Sequence, residues 1–192
     1  VGAYPGESQM WIQSCGNLTI TNDIEIKTGR FISANYTVAG RAAGNLTLSG
    51  NILLNQGSGT SDLYCQRPLT LSGPVSGGST YGLRLASGTL ILQGANTFTN
   101  HVRTTNAGGA VFNINSDAAL GHTNNSFLAT FNTTLQTAAG TSINLSPSRS
   151  IDISSTNIVT FDVLAGSSLT IPGQIKNSGS FVKNSAGALT LS

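Results

Sequence analysis

The chain has 192 residues, 39% of them hydrophobic and only 8% charged, with a formal net charge of +2. An ordinary soluble domain is about a quarter Asp, Glu, Lys and Arg. The composition excludes coiled coils and helical bundles, charged disordered tails and, for want of a basic stripe, nucleic-acid binders. Ser, Thr and Asn make up about a third of the chain, beside 23 Gly, and such short neutral side chains suit strands and corners. The leading class is an all-β, extracellular protein.

In chain order, Val1 to Ser14 carries Tyr4, Pro5, Met10 and Trp11 and shows no repeat. It reads as an irregular cap or linker, with the solenoid described below running from 15 to 192. Cys15 and Cys65 follow. Their spacing suits neither a zinc nor a redox motif, so they are a candidate disulfide or two buried thiols. No stretch approaches the roughly 18 apolar residues of a membrane helix.

From Leu18 onward, period-two alternation replaces helical periodicity. Leu18-Thr19-Ile20, Ile24-Glu25-Ile26, Leu46-Thr47-Leu48, Leu69-Thr70-Leu71 and Leu90-Ile91-Leu92 each read in, out, in. So do Phe112 to Ile114, Ile143 to Leu145, Ile151 to Ile153, Phe161 to Val163, Leu169 to Ile171 and Leu189 to Leu191. Several are near copies: Leu, Thr, aliphatic, any residue, Gly or Asn, any residue, aliphatic. The leading leucines are Leu18, Leu46, Leu69, Leu90, Leu169 and Leu189, with neighbouring copies 28, 23, 21 and 20 residues apart. The gap from Leu90 to Leu169 has room for about four more units of that period.

A period of this size, with strands and turns in each unit, predicts a right-handed parallel β-helix (β-solenoid) of about nine coils of 20–23 residues. One coil cannot bury its own apolar face, and stacking aligns like strands into parallel ladders with a continuous aliphatic core. Charges repeated coil upon coil would stack like on like, so low charge and the repeat have one cause. An antiparallel sandwich also has short alternating strands, but it does not require near-identical strands one period apart.

Gly88-Thr89-Leu90-Ile91-Leu92-Gln93-Gly94-Ala95-Asn96-Thr97-Phe98-Thr99, continuing through Asn106-Ala107-Gly108 and Ser116-Asp117-Ala118-Ala119-Leu120-Gly121, resembles the autotransporter-associated β-strand repeat. Lys183-Asn184-Ser185-Ala186-Gly187-Ala188-Leu189-Thr190-Leu191-Ser192 resembles a second, cut-off copy. The resemblance implies a bacterial secreted or cell-surface protein, with the repeats building a β-helix stalk.

Other β-helices act on polysaccharides, and glycoside hydrolysis needs two carboxylates about 5 to 9.5 Å apart. Only Asp23/Glu25, near Lys27 and Arg30, and Asp152/Asp162 are close enough to pair. Otherwise the charges read as isolated and outward. His101 and His122 are one coil apart but lack a third metal ligand. No catalytic residue, metal or cofactor is expected. The acceptor pattern for N-glycosylation at Asn17, Asn35, Asn45, Asn124, Asn132 and Asn144 is what chance supplies in so Asn-rich a chain.

The last repeat breaks off at Leu189-Thr190-Leu191, mid-motif. The expected reading is an incomplete last coil, completed by a longer parent chain or by head-to-tail stacking of a second copy through those residues. The expected function is structural: a self-associating fibre subunit, or a stalk or adhesin passenger, with a host or matrix polysaccharide as a further partner. The alternative is a polysaccharide-acting lyase or hydrolase.

Overall fold

The computed structural model describes residues 9–14, 16–27, 29–35, 43–55, 61–78 and 81–192. The alternating segments form short strands. They begin with β1 (Gln9–Ser14), β2 (Gly16–Ile20), β3 (Ile24–Ile26), β4 (Gly29–Asn35), β5 (Ala43–Leu48) and β6 (Ile52–Leu54). Next come β7 (Ser61–Leu71), β8 (Val75–Gly77), β9 (Leu83–Leu92) and β10 (His101–Ile114), then one 3-10 turn at Asp117–Leu120. The remainder are β11 (Ser126–Ala129), β12 (Thr133–Thr137), β13 (Ser142–Asn144), β14 (Ile151–Ile153) and β15 (Ile158–Asp162), followed by β16 (Ser168–Ile171), β17 (Ile175–Lys176), β18 (Ser180–Asn184) and β19 (Ala188–Leu191).

Every strand pairing is parallel, and the strands stack as a three-faced β-solenoid of about seven turns. The first face is β1, β4, the leading halves of β7, β9 and β10, then β11, β14 and β17. The second is β2, β5, the trailing halves of the same long strands, then β12, β15 and β18. The third holds β3, β6 and β8 at one end and β13, β16 and β19 at the other. Seven turns at the usual inter-strand spacing make a stack of about 34 Å.

The leucines behave as their spacing implies. Leu18, Leu46, Leu69 and Leu90 face one another in register, and the column continues through Phe112, Leu135 and Phe161. All from Leu46 onward are fully buried. Leu18 and Leu189 are half-buried and pack against the core.

The same motif also explains the corners. A Cβ on Gly73 would lie 2.0 Å from the Gly50 carbonyl oxygen, and one on Gly94 2.3 Å from that of Gly73. Gly50 meets the Asn22 carbonyl in the same way, at 2.2 Å. Each coil turns so close above its neighbour that only glycine fits. Asn22, the lowest member described, is itself exposed.

Three expectations need correction. The turns number about seven, not nine, because their length varies. Arg30 faces Asp62, 32 residues on, whereas Arg84 faces Arg103, 19 on. Leu169 and Leu189 belong to a different column: Leu169 pairs with Ile143 on one side and with Leu189 on the other, on the third face. The stretch from Leu90 to Leu169 therefore holds three turns plus a step of one face, not four units. Lastly, residues 9–14 are no irregular cap. They form β1, which pairs with β4 on the first face.

Candidate functional site

Buried polar side chains hold the stack where strand pairing lapses. On the third face between β8 and β13, the 3-10 turn takes the place of a strand. Asn96 bridges the break: its Oδ1 accepts the Val75 N–H at 2.8 Å and its Nδ2 donates to the Ala119 carbonyl at 2.7 Å. Asn125 Nδ2 donates to Phe98 and Leu120 carbonyls. Arg149, with no side-chain exposure, meets Asp117 Oδ1 at 2.8 Å and donates to the carbonyls of Asp117, Leu120, Gly121 and Asn125. Pairing its charge and satisfying its donors offset the cost of burying the Arg149 guanidinium. At the opposite corner Arg67 is buried and donates to the Gly44 carbonyl at 3.0 Å; burial pushes its pKa down.

The candidate pairs are not brought together as catalytic dyads. Asp23 accepts the backbone N–H and the side-chain amide of Asn51, at 2.8 and 3.0 Å, and Glu25 accepts Asn55 Nδ2 at 2.5 Å and meets Lys27 at 3.4 Å. Both are exposed ties to the next coil, and the Asn55 bond chiefly holds Glu25 below its usual pKa. Asp152 lies in β14 on the first face and Asp162 in β15 on the second. Asp162 accepts Ser185 Oγ at 2.5 Å and Gln136 Nε2 at 2.7 Å, and these bonds depress its pKa.

His101 and His122 do not stack. His101 faces Ser126, while the His122 N–H bonds the Phe98 carbonyl. Among the described residues no three His, Cys, Asp or Glu gather as metal ligands, and no helix is long and apolar enough to cross a membrane. Cys65 is a buried free thiol, its pKa pushed up to about 12 by burial. Cys15, and with it the candidate disulfide, lies outside the described residues.

The charges are not isolated. One outward position of the first face is occupied, coil by coil, by Gln9, Arg30, Asp62, Arg84, Arg103, Leu128, Asp152 and Lys176. Arg84 Nε meets Asp62 Oδ1 at 2.9 Å, and Thr105 Oγ1 donates to the same oxygen at 3.1 Å. The Arg84 guanidinium also sits 5.6 Å from the Tyr81 ring centre, and that of Arg30 5.4 Å from Tyr64. Lys176 lies 3.7 Å from Asp152.

Arg103 is different. Its ladder neighbours are Arg84 and Leu128, so here like charge does stack on like charge. Its Nε is buried without a hydrogen-bond partner. Burial, then the proximity of Arg84, lower its pKa against the opposing pull of Asp62 and Tyr81. Two positions back on the same surface, His101 keeps its Nδ1 buried and unbonded, and burial followed by Arg103 lowers its pKa against the opposing pull of Asp152.

The backbone is irregular beside this cluster. Leu63 faces Leu85 but Tyr64 faces Ser87, and Leu85 to Ser87 in β9 spans Thr104 to Gly108 in β10. Both strands therefore bulge next to the arginines, as strands often do where a side chain is re-aimed toward a ligand. These bulges and the uneven turn lengths hide the column from any fixed-period reading. The only signal in the sequence is that Asp62, Arg84, Arg103, Asp152 and Lys176 each precede or follow an apolar strand residue. Compared with known protein families, curated proteins and solved structures, the chain matches none.

Proposed function

We propose that the chain is an extracellular structural rod on a bacterial surface, acting as a self-associating fibre subunit or as a stalk or adhesin passenger module. The observation that carries this reading is the last coil. Among the described residues β17, β18 and β19 are each paired on one side only. The inward columns end in Phe181, stacked over Val159, and Leu191, stacked over Ile171, which are 43% and 47% exposed where their partners are buried. A strand edge of unpaired N–H and C=O groups next to an apolar end face is a template for another coil. In this reading a second copy stacks on that edge.

The resemblance to the autotransporter-associated repeat supports the surface setting, and the dry aliphatic core supports a mechanical role. The rival reading of a polysaccharide-acting enzyme draws no support from Asp152 and Asp162, which occupy different faces. Electron microscopy of the purified chain at high concentration tests the proposal. Filaments one solenoid wide are expected. A field of dispersed, blunt particles contradicts self-stacking.

A further inference from the structure

We propose that Arg103, with Arg84 and His101 beside it, forms a binding site on the first face for a carboxylate or sulfate group carried by an acidic glycan. This site is on the flank of the rod and does not depend on how its ends associate.

The charge arrangement asks for an anion. Arg84 and Arg103 are direct ladder partners, and Asp62 on the far side of Arg84 is the carboxylate that meets this pair. Leu128 occupies the next position along, so Arg84 and Arg103 share Asp62, whose charge also acts on Arg103, and the trio keeps one positive charge in excess. A half-buried guanidinium that shares its one carboxylate with a second arginine is costly, and it is the group best shaped for two-pronged recognition of a carboxylate or sulfate. The Tyr81 ring and Asp62 fix Arg84 in place. Buried, unbonded polar atoms at Arg103 Nε and His101 Nδ1 and the double bulge mark the same spot independently.

The chemistry around the arginines selects the carrier. A densely charged polyanion such as nucleic acid would meet Asp62 and Asp152 in the same column, and like charges oppose it. An acidic sugar brings sparse negative groups with hydroxyls between them. Tyr64 lies half-buried one alternation away from Asp62 on the same outward surface, and amphipathic rings of this kind suit a sugar surface.

The chain has two histidines, so imidazole resonances give a local reporter and an internal control. Proton NMR titrations at constant ionic strength would compare sodium sulfate, oligogalacturonate, chondroitin sulfate and neutral dextran. With either acidic glycan, the pKa of His101 is expected to rise while that of His122 stays. Neutral dextran is expected to change neither, and Arg103→Gln to weaken acidic-glycan binding at least tenfold. Arg103→Lys keeps the charge without the fork; it is expected to bind more weakly than wild type and serves as the test should the glutamine variant fold poorly. Sulfate alone giving the full effect, with no gain from a glycan, would overturn the glycan assignment. Equal shifts at both histidines, or undiminished binding in both Arg103 variants, would overturn the site.

Discussion

Arg149 and Asp117 stand 32 residues apart in sequence and are joined by a 2.8 Å contact between Nε and Oδ1. The pair lies where the third face loses its strand, so it replaces a missing piece of ladder. Arg149→Ala leaves the part-buried Asp117 carboxylate without its counter-ion and takes a donor from the carbonyls of Asp117, Gly121 and Asn125. The expected loss is about 3–5 kcal/mol, as for breaking one side of a buried pair. Urea denaturation of the variant measures it. A loss below 1 kcal/mol would show that the guanidinium is dispensable.

The corner column gives a second expectation. Gly73→Ala places a methyl group 2.0 Å from the Gly50 carbonyl oxygen, and the backbone on both coils must shift. Overpacking of this kind costs about 1–3 kcal/mol. Asn22→Ala, at the exposed foot of the same column, should stay within about 0.5 kcal/mol of wild type. Thermal unfolding of the two variants side by side checks the contrast.

Asp162 links stability to acid. Its folded pKa lies below the ordinary 3.8, through the Ser185 and Gln136 bonds. A depressed carboxyl pKa contributes stability that is complete above the unfolded value and lost as pH falls through the folded one. The stability gap between wild type and Asp162→Asn should therefore be constant above about pH 5 and shrink below about pH 4. A gap that does not change across that window would remove Asp162 from the account of acid unfolding.

Cys65 gives the opposite sign. Burial holds its thiol at a pKa of about 12, against an ordinary 9.0. The folded state keeps its proton when the unfolded chain has lost it, so stability is complete below pH 9 and declines as pH rises from 9 toward 12. In a Cys15→Ser background, iodoacetamide at pH 8 should leave the native chain unlabelled and label it fully in denaturant. Rapid labelling of the native chain would contradict the burial.

Much of the fold was legible because its determinants are local and repeated. Leu18, Leu46, Leu69 and Leu90 announce a column, and Gly50, Gly73 and Gly94 its corners. The number of turns was not, since Leu169 carries the same motif on another face and the turn from Arg30 to Asp62 is half again as long as its neighbours. The arginine column was illegible for a related reason. Bulges in β9 and β10 shift the register beside Arg84 and Arg103, so no constant interval connects them. Arg149 and Asn96 look like ordinary surface residues in sequence; their burial follows from a strand that fails to form, and a local pattern carries no trace of it.

The central claim is that the last coil is an association surface. Sedimentation velocity over a wide concentration range, comparing wild type with the Phe181→Lys, Leu191→Lys double variant, tests it most directly. Wild type is expected to grow into elongated species as concentration rises, while the variant, equally folded by circular dichroism, stays monomeric. Wild type that remains a monomer throughout, or a variant that assembles as well as wild type, would contradict the claim.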